Sequence, residues 1–75
     1  MTETARKASI SISVNGEERT VSAGSSIATM LEAIGLNPRK VAVERNLEVV
    51  PRSTLGEVIV GEGDQFEIVH FVGGG

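Results

Sequence analysis

Residues 63–75 read Gly-Asp-Gln-Phe-Glu-Ile-Val-His-Phe-Val-Gly-Gly-Gly, and the parsing of this stretch decides the fold. Gly63 and Asp64 close a glycine-rich turn that begins at Gly61 and Glu62. From Gln65 onward, Phe66 and Ile68 alternate with Gln65 and Glu67, the period of a strand buried on one face. The alternation then fails, because Val69, Phe71 and Val72 are all apolar. Either the strand is buried on both faces there, or it carries apolar groups out towards the end of the chain. Several apolar side chains beside a flexible segment favour a contact surface. Gly73, Gly74 and Gly75 have no Cβ, so they can thread a space where any side chain would collide. The expected product is a strand that feeds a thin peptide ending in a carboxylate, with that carboxylate as the reactive group. A linker remnant has the same composition.

Upstream, Ile10, Ile12 and Val14 alternate with Ser9, Ser11 and Ser13, which predicts a half-buried strand. Asn15-Gly16 follows, a hairpin signal because both residues tolerate positive φ in a type I′ turn. Glu17 to Val21 returns as a second strand, and Glu18, Arg19 and Thr20 suit a solvated edge. Ser25 or Ser26 can cap a helix. Ile27, Met30, Leu31 and Ile34 give that helix one apolar stripe, and Gly35 with Leu36 suits a Schellman ending before Pro38. About ten residues of helix cannot stand alone in water and must pack on a sheet. Val41 to Val43 reads as a third strand and Glu48 to Val50 as a short partner stopped by Pro51, joined by a turn of unclear type at Arg45-Asn46-Leu47. Ser53 to Glu57 suggests one helical turn opened by Ser53 or Thr54, and Val58 to Val60 is apolar. A hairpin, one helix and a mixed sheet make α+β architecture.

Composition narrows the function. A chain of 75 residues is one small domain with little room for an internal catalytic cavity. It has no cysteine, so it forms no disulfide and no thiolate metal site, which fits a reducing cytoplasm. A net charge of −3 and the absence of Trp and Tyr argue against nucleic acid as a partner. No apolar run approaches the ~20 residues of a membrane span, and the residues after Arg6-Lys7 alternate as no signal peptide does. His70 is the only histidine and suits a strand surface better than a catalytic base. Glu62 and Asp64 suit a turn better than a metal pair, and Arg39, Lys40 and Arg45 read as solvated charge or as groups facing an acidic partner.

The segment Val41-Ala42-Val43 through Asn46, the turn Val50-Pro51-Arg52, and Gly63-Asp64 opening a strand that ends Val69-His70-Phe71-Val72-Gly73-Gly74-Gly75 together resemble the ubiquitin-like β-grasp sulfur carriers, most of all the ThiS branch that serves thiamine thiazole biosynthesis. The resemblance runs from Ile10 to Gly75. It implies a β-grasp fold over residues 8–72, a mixed sheet of four to five strands with one main helix packed across it. It leaves residues 1–7 as a disordered leader and residues 73–75 as a flexible tail. It further implies a carrier rather than an enzyme. The Gly75 carboxylate would be adenylated by an adenylyltransferase of the ubiquitin-activating type, then converted to a thiocarboxylate by a sulfurtransferase and presented to a thiazole synthase.

On this resemblance Phe71, Val72, Gly73 and Gly74 are the binding residues and Gly75 the reactive one. No cofactor or metal would be bound by the chain itself, since ATP and Mg²⁺ belong to the activating partner. Gly61-Glu62-Gly63 lacks the Lys-Ser/Thr of a phosphate-binding loop. The same tail chemistry is also compatible with a molybdopterin-synthase small subunit, with another thiolation carrier, or with a protein modifier. A plain β-grasp binding module with incidental glycines is the reading from outside the carrier class.

Overall fold

The computed structural model describes residues 8–71. Strand β1 (Ser9–Val14) buries Ile10, Ile12 and Val14 and leaves its serines on the other face. Asn15 and Gly16 take φ of 51° and 83°, the left-handed pair that a type I′ hairpin requires. The chain returns as β2 (Glu17–Ser22), antiparallel to β1, with Val21 as its buried residue. Helix α1 (Ile27–Ala33) is opened by Ser26, whose hydroxyl accepts from the Thr29 N–H. Ile27, Met30 and Leu31 are completely buried. Its end is the expected Schellman closure: Leu36 N–H donates to Leu31 C=O at 2.8 Å and Gly35 N–H to Glu32 C=O at 3.1 Å, with Gly35 at φ 91°.

After a 3-10 turn at Pro38–Lys40 come β3 (Val41–Arg45) and β4 (Glu48–Val50), joined by a tight antiparallel turn. The turn is left-handed at Asn46 (φ 51°) and Leu47 (φ 74°), a conformation that disfavours a bulky residue such as Leu. Leu47 is also 87 % exposed, so no packing offsets that strain. A second 3-10 turn spans Arg52–Thr54. It starts directly after Pro51 with no side-chain cap, earlier than the helical turn expected to open at Ser53 or Thr54. Strand β5 (Gln65–His70) closes the fold.

The strands lie in the order β2-β1-β5-β3-β4, one mixed sheet in which only β1 and β5 run parallel. This matches the expected mixed sheet with one helix across it, at the upper end of the expected strand count. The last strand in sequence is therefore the central one in space. Phe66 and Ile68 of β5 meet Val41, Val43, Ile10 and Ile12 under α1, and Leu55 and Val60 close the sides of the core. The apolar stretch Val58 to Val60 is not a regular strand; it is tied to the start of α1. Ile27 N–H donates to Val58 C=O, Ala28 N–H to Leu55 C=O and Val60 N–H to Ser25 C=O, at 2.8–2.9 Å. Donors that a helix start leaves unpaired are thus satisfied by the connection leading to β5. Among the described residues, no helix is long and apolar enough to cross a membrane.

Candidate functional site

The helix covers one face of the sheet and leaves the other open. On β5 the side chains facing away from the core are Gln65, Glu67 and Val69, and the β3–β5 register sets Ala42 beside Val69 and Glu44 beside Glu67. Val49 of β4 stands opposite Glu44. Val69 is 64 % exposed and Val49 73 %. The broken alternation at the end of β5 therefore marks exposed apolar groups, not a strand buried twice. His70 is exposed on the strand, as expected of it.

Phe71 lies one residue beyond β5 and is 50 % exposed. Its N–H donates to Lys40 C=O at 2.9 Å, which keeps the chain on the β3 line past the end of the strand. The Arg52 guanidinium lies 4.8 Å from the ring centroid, within range of a cation–π contact. A groove of about 180 Å³ is lined by Ala42 and Val49 of the open face, by Pro51, Arg52 and Phe71, and by Val41, Val43, Val50 and Leu55 from the core side. Apolar side chains so gathered around Phe71, with Val69 and Val49 exposed on the open face, fit a protein partner better than a small molecule. Of the residues expected to bind, Phe71 falls in this surface. Val72, Gly73 and Gly74, and the reactive Gly75, lie outside the described residues. Arg52 was legible only as part of the Val-Pro-Arg turn; nothing local announces its place over Phe71.

At the opposite end, the start of β5 is fixed by a buried carboxylate. Asp64 accepts from Arg45 Nε at 2.8 Å, from Gly61 N–H at 2.8 Å and from Asn46 Nδ2 at 3.2 Å. Asn46 is also bonded both ways to Gln65: its Oδ1 accepts from Gln65 N–H at 2.9 Å and its N–H donates to Gln65 C=O at 2.7 Å. Arg45 is therefore a structural ion-pair partner, not the solvated or partner-facing charge expected of it. Asp64 belongs to the turn and orders it. Burial alone would raise the Asp64 carboxyl; the bonds from Gly61, Asn46 and Arg45, with the charge of Arg45, outweigh it and hold the group below the usual carboxylate range.

A pH dependence follows. The folded state binds this proton less readily than the unfolded chain, so the stabilisation is complete above the ordinary aspartate value of ~3.9 and drains away as pH falls through the lowered folded value. Asp64→Asn is expected to cost about 1.5–3 kcal/mol near pH 7. The gap between variant and wild type should narrow as pH drops below ~4. Urea unfolding across a pH series checks this; a gap independent of pH would remove Asp64 from the account.

A model of the ThiS family matches residues 12–75. A thiazole synthase of Paramagnetospirillum magneticum is 53 % identical over 62 residues, covering 83 % of this chain and 19 % of the synthase. The chain thus spans about a fifth of the length of that curated relative. The sulfur carrier protein ThiS of Bacillus subtilis is 43 % identical over 49 residues, covering 65 % of this chain and 74 % of that protein. Among solved structures, a thiamine biosynthesis protein (ThiS) from Geobacter metallireducens superposes with a TM-score of 0.73 at 32 % identity, covering 88 % of this chain and all of the other.

Proposed function

The chain belongs to the ThiS family, and from that membership we propose that it is a sulfur carrier for thiamine thiazole biosynthesis, acting through the carboxyl group of Gly75. The observation that carries this reading is that the family match runs through Gly75, so the three glycines after β5 belong to the matched segment. The names of the relatives, a thiazole synthase, a sulfur carrier protein ThiS and a thiamine biosynthesis protein, favour thiazole formation over molybdopterin synthesis.

In this reading the protein is a substrate of other enzymes. A carboxylate resists nucleophiles, because its charge repels them and resonance stabilises it. The activating adenylyltransferase would bind ATP and Mg²⁺ and let a Gly75 carboxylate oxygen attack the α-phosphorus. One O–P bond forms, the α–β anhydride breaks and pyrophosphate departs. The acyl-adenylate is then open to a persulfide, whose terminal sulfur bonds to the carbonyl carbon as AMP leaves. A second thiol cleaves the resulting S–S bond and releases the thiocarboxylate, whose sulfur is the nucleophile given to the thiazole synthase. ATP and reduced thiols place this work in the cytoplasm.

The folded body supplies docking and reach. Three extended residues span at most ~10 Å, enough for Gly75 to enter a cleft while the open sheet face stays at its mouth. Ordering them costs ~1–2 kcal/mol each in backbone entropy. Burial of Val69, Phe71 and Val49 against the partner offsets that cost, and a held carboxylate reacts at high effective concentration.

The test is intact mass. With ATP and the cognate activating enzyme the protein should gain the mass of an adenylyl group. With a persulfide donor added, the product should show one oxygen replaced by sulfur. Neither change appearing, with an activating enzyme shown to be competent on another carrier, would end the proposal.

A further inference from the structure

The parallel ladder between β1 and β5 is short. It pairs Ser13 with Gln65 and Val14 with Phe66, and then β1 ends. Asn15 turns away into the hairpin, and its backbone N–H still donates to Phe66 C=O at 2.8 Å. One step further along β5 a side chain takes the place of the missing strand. The Asn15 carboxamide accepts from Ile68 N–H at 2.7 Å, and its Nδ2 donates to Ile68 C=O at 3.1 Å. A primary carboxamide presents a donor and an acceptor side by side, as a peptide group does, so it adds one rung to the ladder. Beyond Ile68, among the described residues, the strand pairing of β5 is with β3 alone: Val69 with Ala42, His70 with Val41, then the Phe71 N–H to Lys40.

We propose that Asn15 is a positioning residue: by clasping Ile68 on the side that β1 abandons, it fixes the direction in which Phe71 and the glycines after it leave the body. This inference rests on the carrier reading. The turn itself asks only for tolerance of positive φ at this position, which Gly or Asp would also meet. A side chain that bonds twice across the sheet to a residue 53 positions away is beyond what the hairpin needs. Without it the end of β5 is held from one side. The root of the tail then samples more directions, and fewer of them aim the carboxylate at a docked active site. That freedom is lost on binding, so its cost falls on association and not on the chemical step.

Asn15→Gly keeps the turn and removes both bonds; Asn15→Asp keeps the acceptor for Ile68 N–H and loses the donor. Adenylation is measured with the cognate activating enzyme, the carrier being the varied substrate. KM is expected to rise about tenfold for Asn15→Gly, equivalent to ~1.4 kcal/mol, and by less for Asn15→Asp. The kcat should stay within about twofold. Amide exchange at His70 and Phe71 should accelerate relative to Ile12. Ile12→Val, which loosens the core beside the same hairpin, serves as the control for stability alone and should keep the wild-type KM. An unchanged KM in Asn15→Gly, or an equal rise in Ile12→Val, overturns the proposal. If Asn15→Gly melts below the assay temperature, the same comparison is decided with Asn15→Asp. Wild-type protein that is never adenylated refutes the carrier reading, and this inference falls with it.

Discussion

Protein sealed with a C-terminal amide at Gly75, or lengthened there by a purification tag, is expected to show no adenylyl adduct and no thiocarboxylate, while unfolding at the same temperature as the unmodified chain. The chemistry fixes the first half of this result. An amide has no anionic oxygen to attack the α-phosphorus, and an added residue moves the carboxylate out of register with the active site while placing a Cβ where only glycine fits. The second half follows from the fold: among the described residues the buried core runs from Ile10 to Ile68, and a glycine has no side chain to add to it. The experiment combines intact mass after incubation with ATP and the activating enzyme with a thermal melt followed by circular dichroism. A sealed protein that still restores thiamine synthesis in a strain lacking the gene, with mass spectrometry showing the seal intact in the cell, would show that Gly75 is not the reactive residue. A large fall in melting temperature would show instead that the tail takes part in the folded structure.

The second large effect is on stability. Phe66→Ala is expected to cost about 3–5 kcal/mol. Phe66 is 1 % exposed and stands on the central strand between β1 and β3, under α1. Truncation there loses transfer energy and leaves a cavity that two flanking strands keep from collapsing. At ~0.05–0.15 kcal/mol per residue, a chain of 75 residues has about 4–11 kcal/mol in total. With no cysteine in the chain, no disulfide compensates. A domain of this size loses about 4–8 °C of melting temperature per kcal/mol, so the variant should unfold near or below growth temperature. Circular dichroism melts measure it. A drop of only a few degrees would mean that the core closes around the missing ring, and that the central strand is less rigid than its neighbours imply.

Elements whose signals are local were legible in the sequence. Asn15-Gly16 declares its hairpin because both residues accept positive φ. Ser26, the stripe through Met30 and Leu31, and the Gly35-Leu36 ending define α1 from start to stop, because each acts within one or two turns. Asn46-Leu47 hid its turn type, since a left-handed Leu runs against intrinsic preference and is tolerated here only because the surrounding strands impose it. The ion pair of Arg45 with Asp64 joins residues 19 apart, and the bonds of Asn15 to Ile68 join residues 53 apart. Contacts of that kind exist only once strand order and register are set, and neither is written in any short window. Val58 to Val60 was legible only as apolar: Val58 and Val60 pack on the core and bond to the helix start from an irregular segment, while Ile59 is exposed. In the candidate site, the break in alternation at Val69 and Phe71 was visible, whereas the meeting of Phe71 with Arg52 was not.

The placement of β5 in the middle of the sheet has a mechanical consequence. A partner that grips the glycines and draws them into its cleft applies force along the strand axis. Such a load shears the rungs to β1 and to β3 together, two ladders where an edge strand would have one to resist the pull. On the carrier reading, the body can therefore be pulled by its C-terminal end and keep its shape.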